Sequence, residues 1–354
     1  MLFVTPAGYD SFSCLMGDCR HTCCQGWEID VDAESLTRYQ AMPEKDRAWL
    51  ARGMEGSEEG TRFRLDEKER CAFLRPDGLC EMILRLGEGS LCQVCRDHPR
   101  FRNFFSDRIE TGLGLCCEAA GRLILTRREK MTFRAVEDGQ ETKPLTEEEE
   151  ALLAVREEWI AAAQDRRVPL EKRLDALLSD YPQPLPDHRE TAAFLLTLEH
   201  MNADWPTLLT ALRDAPEPPA WDNTWDVPME QFLVYLLWRH LPAALSDGLL
   251  GERLRWAVQS CRLLGWLTAM QPKAEMETFI GLCRLYSSEI EYSDENEALI
   301  LERVSKFGKM HFRSFIRHFC VGKPRFTAGK PSVFRLELTA KASKLQIPHF
   351  RNTL

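Results

Sequence analysis

Ten of the thirteen cysteines lie between residues 14 and 117, and this gradient constrains the chain more than any other feature of its sequence. The ten positions are Cys14, Cys19, Cys23, Cys24, Cys71, Cys80, Cys92, Cys95, Cys116 and Cys117. A cysteine that only fills a hydrophobic core has no reason to favour one end of a chain. The ten thiols are therefore expected either to form disulfides or to bind metal, and the two alternatives need different compartments.

The sequence favours a cytoplasmic location. Residues 1–12 lack the basic and apolar regions of a signal peptide, and no run reaches the roughly 18 apolar residues of a membrane span. Because disulfides rarely persist in the cytoplasm, metal ligation is the favoured alternative. The net charge of −9 argues against nucleic acid or an anionic membrane as partner, and it suits a partner that exposes lysines.

The spacing of the cysteines is typical of metal-binding loops. Cys92 and Cys95 form a C-x-x-C turn, which lets two thiolates reach one metal with little strain. Four further thiols lie within residues 14–24, and Cys71 and Cys80 flank a Pro-Asp-Gly turn. A site built from thiolates alone selects zinc or an iron–sulfur cluster, and the sequence leaves both open.

Two pairs of cysteines are vicinal, Cys23-Cys24 and Cys116-Cys117. Adjacent side chains point in different directions on both helices and strands, so both members of a pair are not expected to bind one tetrahedral metal. Eight thiols would then remain, enough for two four-cysteine sites or for one cluster with spare thiols. His21 and His98, which lie beside cysteines, are either nitrogen ligands or structural histidines.

The pattern predicts a mainly α protein. We expect a cysteine-rich, loop-rich metal-binding module over residues 1–142, an all-α helical domain over 143–321, and a basic tail over 322–354. Thr146 precedes Glu149 by three residues, which is the spacing of a capping box at a helix start. The segment 229–241 is apolar almost all round, which predicts a buried central helix.

Three local predictions accompany this division. Residues 52–60, rich in glycine and glutamate, predict a loop, and residues 130–136 predict a strand. Cys261 and Cys283 fall on apolar helical stripes, so we expect both to be small core residues rather than ligands.

With these motifs in view, the sequence resembles the flagellin lysine-N-methylases, which belong with cysteine-rich bacterial proteins described as zinc- or iron-chelating. The motifs that carry the resemblance are Cys14-x-x-Gly-x-Cys19-x-x-Thr-Cys23-Cys24-x-Gly-Trp27, Cys71-x-Phe-Leu-x-x-Asp-Gly-Leu-Cys80, Leu86-Gly-Glu-x-x-Leu-Cys92-x-x-Cys95-Arg-x-His-Pro-Arg100, Gly112-Leu-x-Leu-Cys116-Cys117-Glu118 and Glu289-Ile-Glu-x-Ser-Asp-Glu-Asn296. Together they span most of residues 1 to about 300.

The resemblance implies transfer of methyl groups from S-adenosylmethionine to lysine ε-amino groups of flagellin, with an iron–sulfur cluster (4Fe-4S) or zinc as the metal centre. The sequence has no glycine-rich nucleotide-binding turn, and Gly112-x-Gly114 is only a weak echo of one. We therefore expect S-adenosylmethionine on an unusual fold, close to the metal. The residues by themselves also allow a non-enzymatic metal-binding protein or a redox protein.

The acidic turn 289–296 has two interpretations. Ser293 or Asp294 caps the helix that follows, and the carboxylates are solvated. Alternatively, the turn receives the substrate lysine or the cofactor. In that case the neutral amide of Asn296 and one carboxylate, Asp294, are the candidate substrate-binding residues, because a strongly acidic pocket would keep the lysine protonated.

Overall fold

The computed structural model describes residues 1–57, 60–179 and 184–306 and the backbone of 334–335. Apart from those two residues, the predicted basic tail 322–354 lies outside the described residues. The strands are β1 Leu2–Pro6, β2 Met54–Ser57, β3 Gly60–Phe63, β4 Arg100–Phe104, β5 Arg108–Leu113, β6 Phe133–Glu137 and β7 Phe334–Arg335.

The helices outnumber the strands. They are α1 Ala33–Gln40, α2 Glu44–Arg52, α3 Glu81–Leu86, α4 Gln93–Asp97, α5 Glu118–Leu125, α6 Glu147–Ala163, α7 Leu170–Leu177, α8 His188–Leu195, α9 Asp204–Asp214, α10 Asp226–His240, α11 Ala244–Asp247, α12 Leu250–Ala269, α13 Met276–Tyr286 and α14 Asp294–Ser305. The mainly α prediction is consistent with this content. No helix of the described residues combines the length and the apolar composition needed to cross a membrane.

A five-stranded sheet, in the order β4-β5-β1-β6-β7, connects the ends of the cysteine-rich region. β1 pairs in parallel with β5, where Leu2 lies opposite Arg108, and antiparallel with β6 on its other side. β5 leads directly into the vicinal cysteines before α5. The sheet therefore fixes where Cys116 and Cys117 lie relative to the helices.

The larger hydrophobic core joins this sheet to the helices. α10 runs through its centre, and nearly every side chain of that helix is buried, as predicted for residues 229–241. The ring of Phe133 on β6 stacks on Trp238 of α10 with centroids 4.0 Å apart. Arg156 of α6 and Glu110 of β5 form a fully buried ion pair with an N–O distance of 2.6 Å. Removing either partner would leave an uncompensated charge in this core.

A second, smaller core lies within residues 29–92. Ile29, Tyr39, Leu50, Phe63 and Met82 pack there around the buried thiols of Cys71 and Cys92. The five-stranded sheet packs against the helices in the larger core. The two cores therefore divide the described residues into the segment 29–92 and the rest. The division at residue 142 stays a prediction.

Several local predictions can be compared with the structure. Thr146 and Glu149 form the predicted capping box, and the predicted strand corresponds to β6. Cys261 and Cys283 are fully buried core residues, as predicted. The predicted loop over 52–60 is wrong: β2 and β3 pair there as an antiparallel hairpin. Residues outside the segment also contact this hairpin: the backbone N–H of Arg64 donates to the Gly53 carbonyl at 2.9 Å, and Asp30 forms a bridge with Arg62.

Candidate functional site

Four cysteines form what we call the first thiol group: Cys14, Cys19, Cys23 and Cys117. Burial raises the pKa of Cys19 to about 11, and the charges of Cys117 and Cys14 add to the rise. The loop that carries Cys14 and Cys19 lies on the turn between Cys71 and Cys80. A Cβ on Gly17 would be only 3.1 Å from the carbonyl oxygen of Asp77, so this close approach needs glycine.

Five others form the second thiol group, which borders the smaller core: Cys24, Cys71, Cys80, Cys92 and Cys95. Burial raises the pKa of Cys71 to about 12, and the charges of Cys24, Cys80 and Cys92 raise it further. The backbone N–H of Cys71 donates to the carbonyl of Cys24 at 2.9 Å, which joins the two chain segments. Cys80 and Cys92 directly precede α3 and α4. Burial raises the pKa of Cys80, although backbone N–H groups at the start of α3 oppose the rise.

The thiols of Cys92 and Cys95 are hydrogen-bonded to each other. This bond lowers the pKa of Cys92 and raises that of Cys95. A second hydrogen bond joins the thiols of Cys23 and Cys24, and it lowers the pKa of Cys24 to about 7. The vicinal cysteines Cys23 and Cys24 thus lie where the two groups meet.

A metal centre is only partly matched by this arrangement. The twelve described cysteines are all free thiols, and soft sulfur donors suit zinc or an iron–sulfur cluster. However, no three His, Cys, Asp or Glu side chains within residues 1–57, 60–179 and 184–306 converge as the ligands of one metal do. The sulfur atoms of each group would have to move closer together, so the ten-cysteine ligand set stays a prediction.

His98 and His21 have different surroundings. The ring of His98 stacks on that of Trp27 at 6.4 Å, and burial lowers its pKa to about 4, which keeps the imidazole neutral at pH 7. Its Nε2 has no partner among the described residues. His21 lies at the surface, where its backbone N–H donates to Glu118 at 2.9 Å.

Cys116 faces the helical layer, unlike its neighbour Cys117. The hydroxyl of Tyr292 donates to its sulfur. Burial raises the pKa of Cys116 to about 12, although that hydrogen bond and the charge of Arg239 both oppose the rise. The two members of this vicinal pair therefore contact different parts of the molecule.

Glu291 is the centre of a buried polar network on the helical side. Its side chain is fully buried, and its carboxylate accepts hydrogen bonds from the Tyr235 hydroxyl at 3.0 Å and from His240 Nε2 at 2.6 Å. The guanidinium of Arg239 lies 3.8 Å away. Burial opposes ionisation of Glu291, but Arg239 and His240 outweigh it and lower its pKa to about 2. Glu291 is thus a fixed anion.

Two aromatic rings that pack on Arg239 occupy the space beside Gly112 of β5 and beside Gly114, which follows that strand. The guanidinium carbon of Arg239 lies 4.8 Å from the ring centre of Tyr292 and 5.2 Å from that of Phe101. A Cβ on Gly114 would lie 2.6 Å from the Tyr292 hydroxyl, and one on Gly112 would collide with the Phe101 ring. Packing therefore accounts for Gly112-x-Gly114 without a bound nucleotide.

Helices α5 and α13 pack side by side, and their ends lie next to the residues around Arg239. Arg122 pairs with Glu277 at 2.7 Å near one end, and Arg284 lies towards Glu118 at the other. The carboxylate of Glu118 accepts the backbone N–H groups of Arg20 and His21. The side chain of Arg284 is half-buried and makes no hydrogen bond or ion pair with any residue that the structure describes.

The acidic turn holds the loop between α8 and α9 in place. The fully buried side chain of Glu289 accepts the backbone N–H of Met201 at 3.0 Å. The amide of Asn296, 1% exposed, donates to the carbonyls of Glu199 at 3.0 Å and Glu289 at 2.8 Å. Both side chains therefore restrain the segment 199–202.

The two predicted substrate-binding residues thus differ in position. Ser293 caps α14 by accepting the backbone N–H of Asn296, as one interpretation of the sequence predicts. The solvated carboxylates of that interpretation are wrong for Glu289 and Glu291, which are buried. Asp294 is exposed in the first turn, whereas the amide of Asn296 is occupied by backbone carbonyls. A role of either residue in substrate binding stays a prediction.

We call the place where α5, α13 and the turn 287–292 meet the junction site. It contains Cys116, Glu118, Arg284, Glu289 and Tyr292. The sequence alone indicated Cys116 as a candidate ligand and the acidic turn as a candidate binding segment. It gave no indication of Arg284 or Arg239. An arginine in a segment predicted to be a buried helix, as Arg239 is on α10, was the available signal.

Comparison with known proteins gives one consistent result. The chain is 26% identical over 134 residues to lysine-N-methylases of Salmonella typhimurium and Salmonella choleraesuis. This match covers 36% of the chain and 33% of each relative, so the chain matches about a third of the length of these relatives. The same level of identity relates it to the flagellar biosynthetic protein FliU of Salmonella muenchen, over 79% of that protein. No family model and no solved structure matches the chain.

Proposed function

We propose that this protein is an S-adenosylmethionine-dependent protein-lysine N-methyltransferase that acts on flagellin. The observation that carries the proposal is the similarity over 134 residues to proteins named lysine-N-methylase. The name of a third relative supports a flagellar substrate. The acidic net charge of −9 suits a partner that presents lysines.

In the proposed reaction the neutral ε-nitrogen of a lysine attacks the methyl carbon of the sulfonium. A nitrogen–carbon bond forms, the sulfur–carbon bond breaks, and S-adenosylhomocysteine leaves while the lysine proton passes to a base or to water. Glu291 is unsuited to accept this proton, because its pKa is lowered to about 2 and its oxygens are occupied. We therefore expect this proton to pass to water or to a base outside the Glu291 network.

The substrate-binding part of the proposal rests on exposure. Asp294 is open to solvent and can meet a lysine ammonium, whereas Asn296 would first have to release two backbone carbonyls. We therefore propose that the lysine approaches on the side of Asp294 and of Tyr292, a residue that is 46% exposed.

The metal centre is part of the same proposal. Its ligands would come from the two thiol groups, and thiolate ligation suits a 4Fe-4S cluster or zinc. When bound, it would hold the loops of residues 14–24 and 71–95 together beside α5. Cys116 is the least suited of the ten, because its thiol contacts Tyr292 rather than the other cysteines.

The alternative is a non-enzymatic metal-binding protein, which the two thiol groups by themselves would also suit. The two are separated by incubating anaerobically purified protein with S-adenosylmethionine and flagellin. The proposal predicts S-adenosylhomocysteine that accumulates only when flagellin is present. Bound metal without S-adenosylhomocysteine would favour the alternative.

A further inference from the structure

Arg284 forms no ion pair in the described part of the chain, and the carboxylates that act on it do so from beyond contact distance. Its guanidinium is half-buried, and its Nε is buried without a hydrogen-bond partner. Other arginines of this region have partners: Arg122 pairs with Glu277, and Arg239 contacts Tyr235 and Glu291. Partial burial of an unpaired guanidinium costs free energy, which a ligand with an anionic group would recover.

Glu289 is a carboxylate with one unused oxygen in the same site. The residue is 0% exposed, and while one oxygen accepts the backbone N–H of Met201, Oε1 has no partner among the described residues. Glu289 and Arg284 act on each other electrostatically but do not approach within the 4 Å of an ion pair. Each therefore lacks the partner that the other could have supplied.

The surrounding charges decide which ligand fits. Glu118, Glu289 and Asp204 all act on Arg284, so a simple anion such as phosphate would be repelled by three carboxylates. A group that carries a carboxylate and an ammonium a few ångströms apart would satisfy both the arginine and the acidic side chains. An α-amino-acid group has this charge pattern.

We propose that Arg284 and Glu289 bind the α-amino-acid group of a ligand, Arg284 its carboxylate and Glu289 its ammonium. This rests on the proposed function, which supplies a ligand with such a group: the methionine end of S-adenosylmethionine. Arginine suits the role because its planar guanidinium can bind both oxygens of a carboxylate.

The test measures binding rather than turnover. The full-length, anaerobically purified protein is titrated by calorimetry with S-adenosylmethionine, with its decarboxylated analogue and with its 2-oxo analogue, which lacks the amino group. Wild type should bind S-adenosylmethionine about 10- to 100-fold more tightly than either analogue, because each lacks one charge-assisted contact.

Two variants assign the contacts. Arg284→Met should remove the preference over the decarboxylated analogue and keep the preference over the 2-oxo analogue. Glu289→Gln should do the reverse. Arg262→Met is the matched control, because Arg262 has its own partner, Asp175, at 2.7 Å, and it should bind all three ligands as wild type does. Thermal melting of each variant reports whether it is folded.

Each outcome decides the matter. The reciprocal loss of the two preferences supports the proposal. If Arg284→Met keeps its preference for the carboxylate-bearing ligand, or loses affinity equally for all three, the proposal is overturned, while flagellin-dependent S-adenosylhomocysteine formation by wild type would still support the methyltransferase. If wild type binds none of the three ligands, both fall.

Discussion

Replacing Glu291 by glutamine tests whether the buried network is held by charge. The folded-state pKa of about 2 lies below the ordinary value of 4.5, so ionisation stabilises the folded protein above pH 4.5, and this contribution is lost as the pH falls towards 2. The difference corresponds to about 3 kcal/mol at neutral pH. Loss of one partner from a buried ion pair gives a similar magnitude, about 3–5 kcal/mol, because Arg239 would keep its charge without compensation.

Urea unfolding followed by tryptophan fluorescence measures the effect. We expect Glu291→Gln to lower the free energy of unfolding by about 3 kcal/mol at pH 7, and the difference from wild type to shrink below pH 4.5. Glu302→Gln is the control, because that carboxylate is 62% exposed and pairs with Lys306 at the surface; it should change stability by less than about 0.5 kcal/mol. A loss below about 1 kcal/mol for Glu291→Gln, or a difference that does not depend on pH, would refute the reasoning.

Three further predictions concern individual contacts. Asn296→Ala should cost about 2–3 kcal/mol, because two buried carbonyls lose their donor, whereas Asp294→Asn should leave the melting temperature unchanged; equal effects would contradict the assigned positions. Cys92→Ser and Cys95→Ser should each reduce the metal content of anaerobically purified protein, and Cys261→Ser should leave it unchanged at a packing cost of about 1 kcal/mol. Metal loss in all three would mean that Cys261 is more than a core residue. Gly114→Ala should lower the melting temperature because its Cβ would meet Tyr292, whereas Gly281→Ala, with open space around it in α13, should raise it slightly; a tolerated alanine at position 114 would contradict the packing argument.

Local signals in the sequence were the ones that predicted structure. The capping box of Thr146 and Glu149 needs only three residues of spacing, and the buried helix α10 needs only continuous apolarity. The same holds for Cys261 and Cys283, whose apolar stripes place them in the core. Each of these patterns lies within one helix and its cap, so it does not depend on which other elements pack against that helix.

Non-local pairing was not predictable in the same way. β1 and β5 are parallel neighbours although Leu2 and Arg108 are about a hundred residues apart, and each strand is short. The network of Glu291 joins α10 to the turn after α13, and neither segment carries a sequence signal that would identify the other as its partner. The vicinal cysteines combine a local and a non-local feature. Their adjacency predicted that Cys116 and Cys117 point in different directions, but only the fold shows that Cys116 contacts Tyr292.

The unpaired Arg284 shows why a site can be invisible in a sequence. Its position on α13 is typical of a surface arginine, and its surroundings are set by Glu118 of α5, Glu289 and Asp204 of α9. Arg96 and Arg127 likewise have a buried Nε without a partner among the described residues, and Arg284 differs from them in acting on the carboxylate of Glu289, which has one unpartnered oxygen.

The methyltransferase proposal is tested most directly by following the methyl group itself. Purified protein is incubated with flagellin and S-adenosylmethionine that carries an isotopically labelled methyl group, and flagellin peptides are examined by tandem mass spectrometry. We predict labelled methyl groups on lysine ε-nitrogens, in amounts that rise with time and fall in the Arg284→Met variant. Flagellin that stays unlabelled, while the protein is folded and holds its metal, would contradict the proposal.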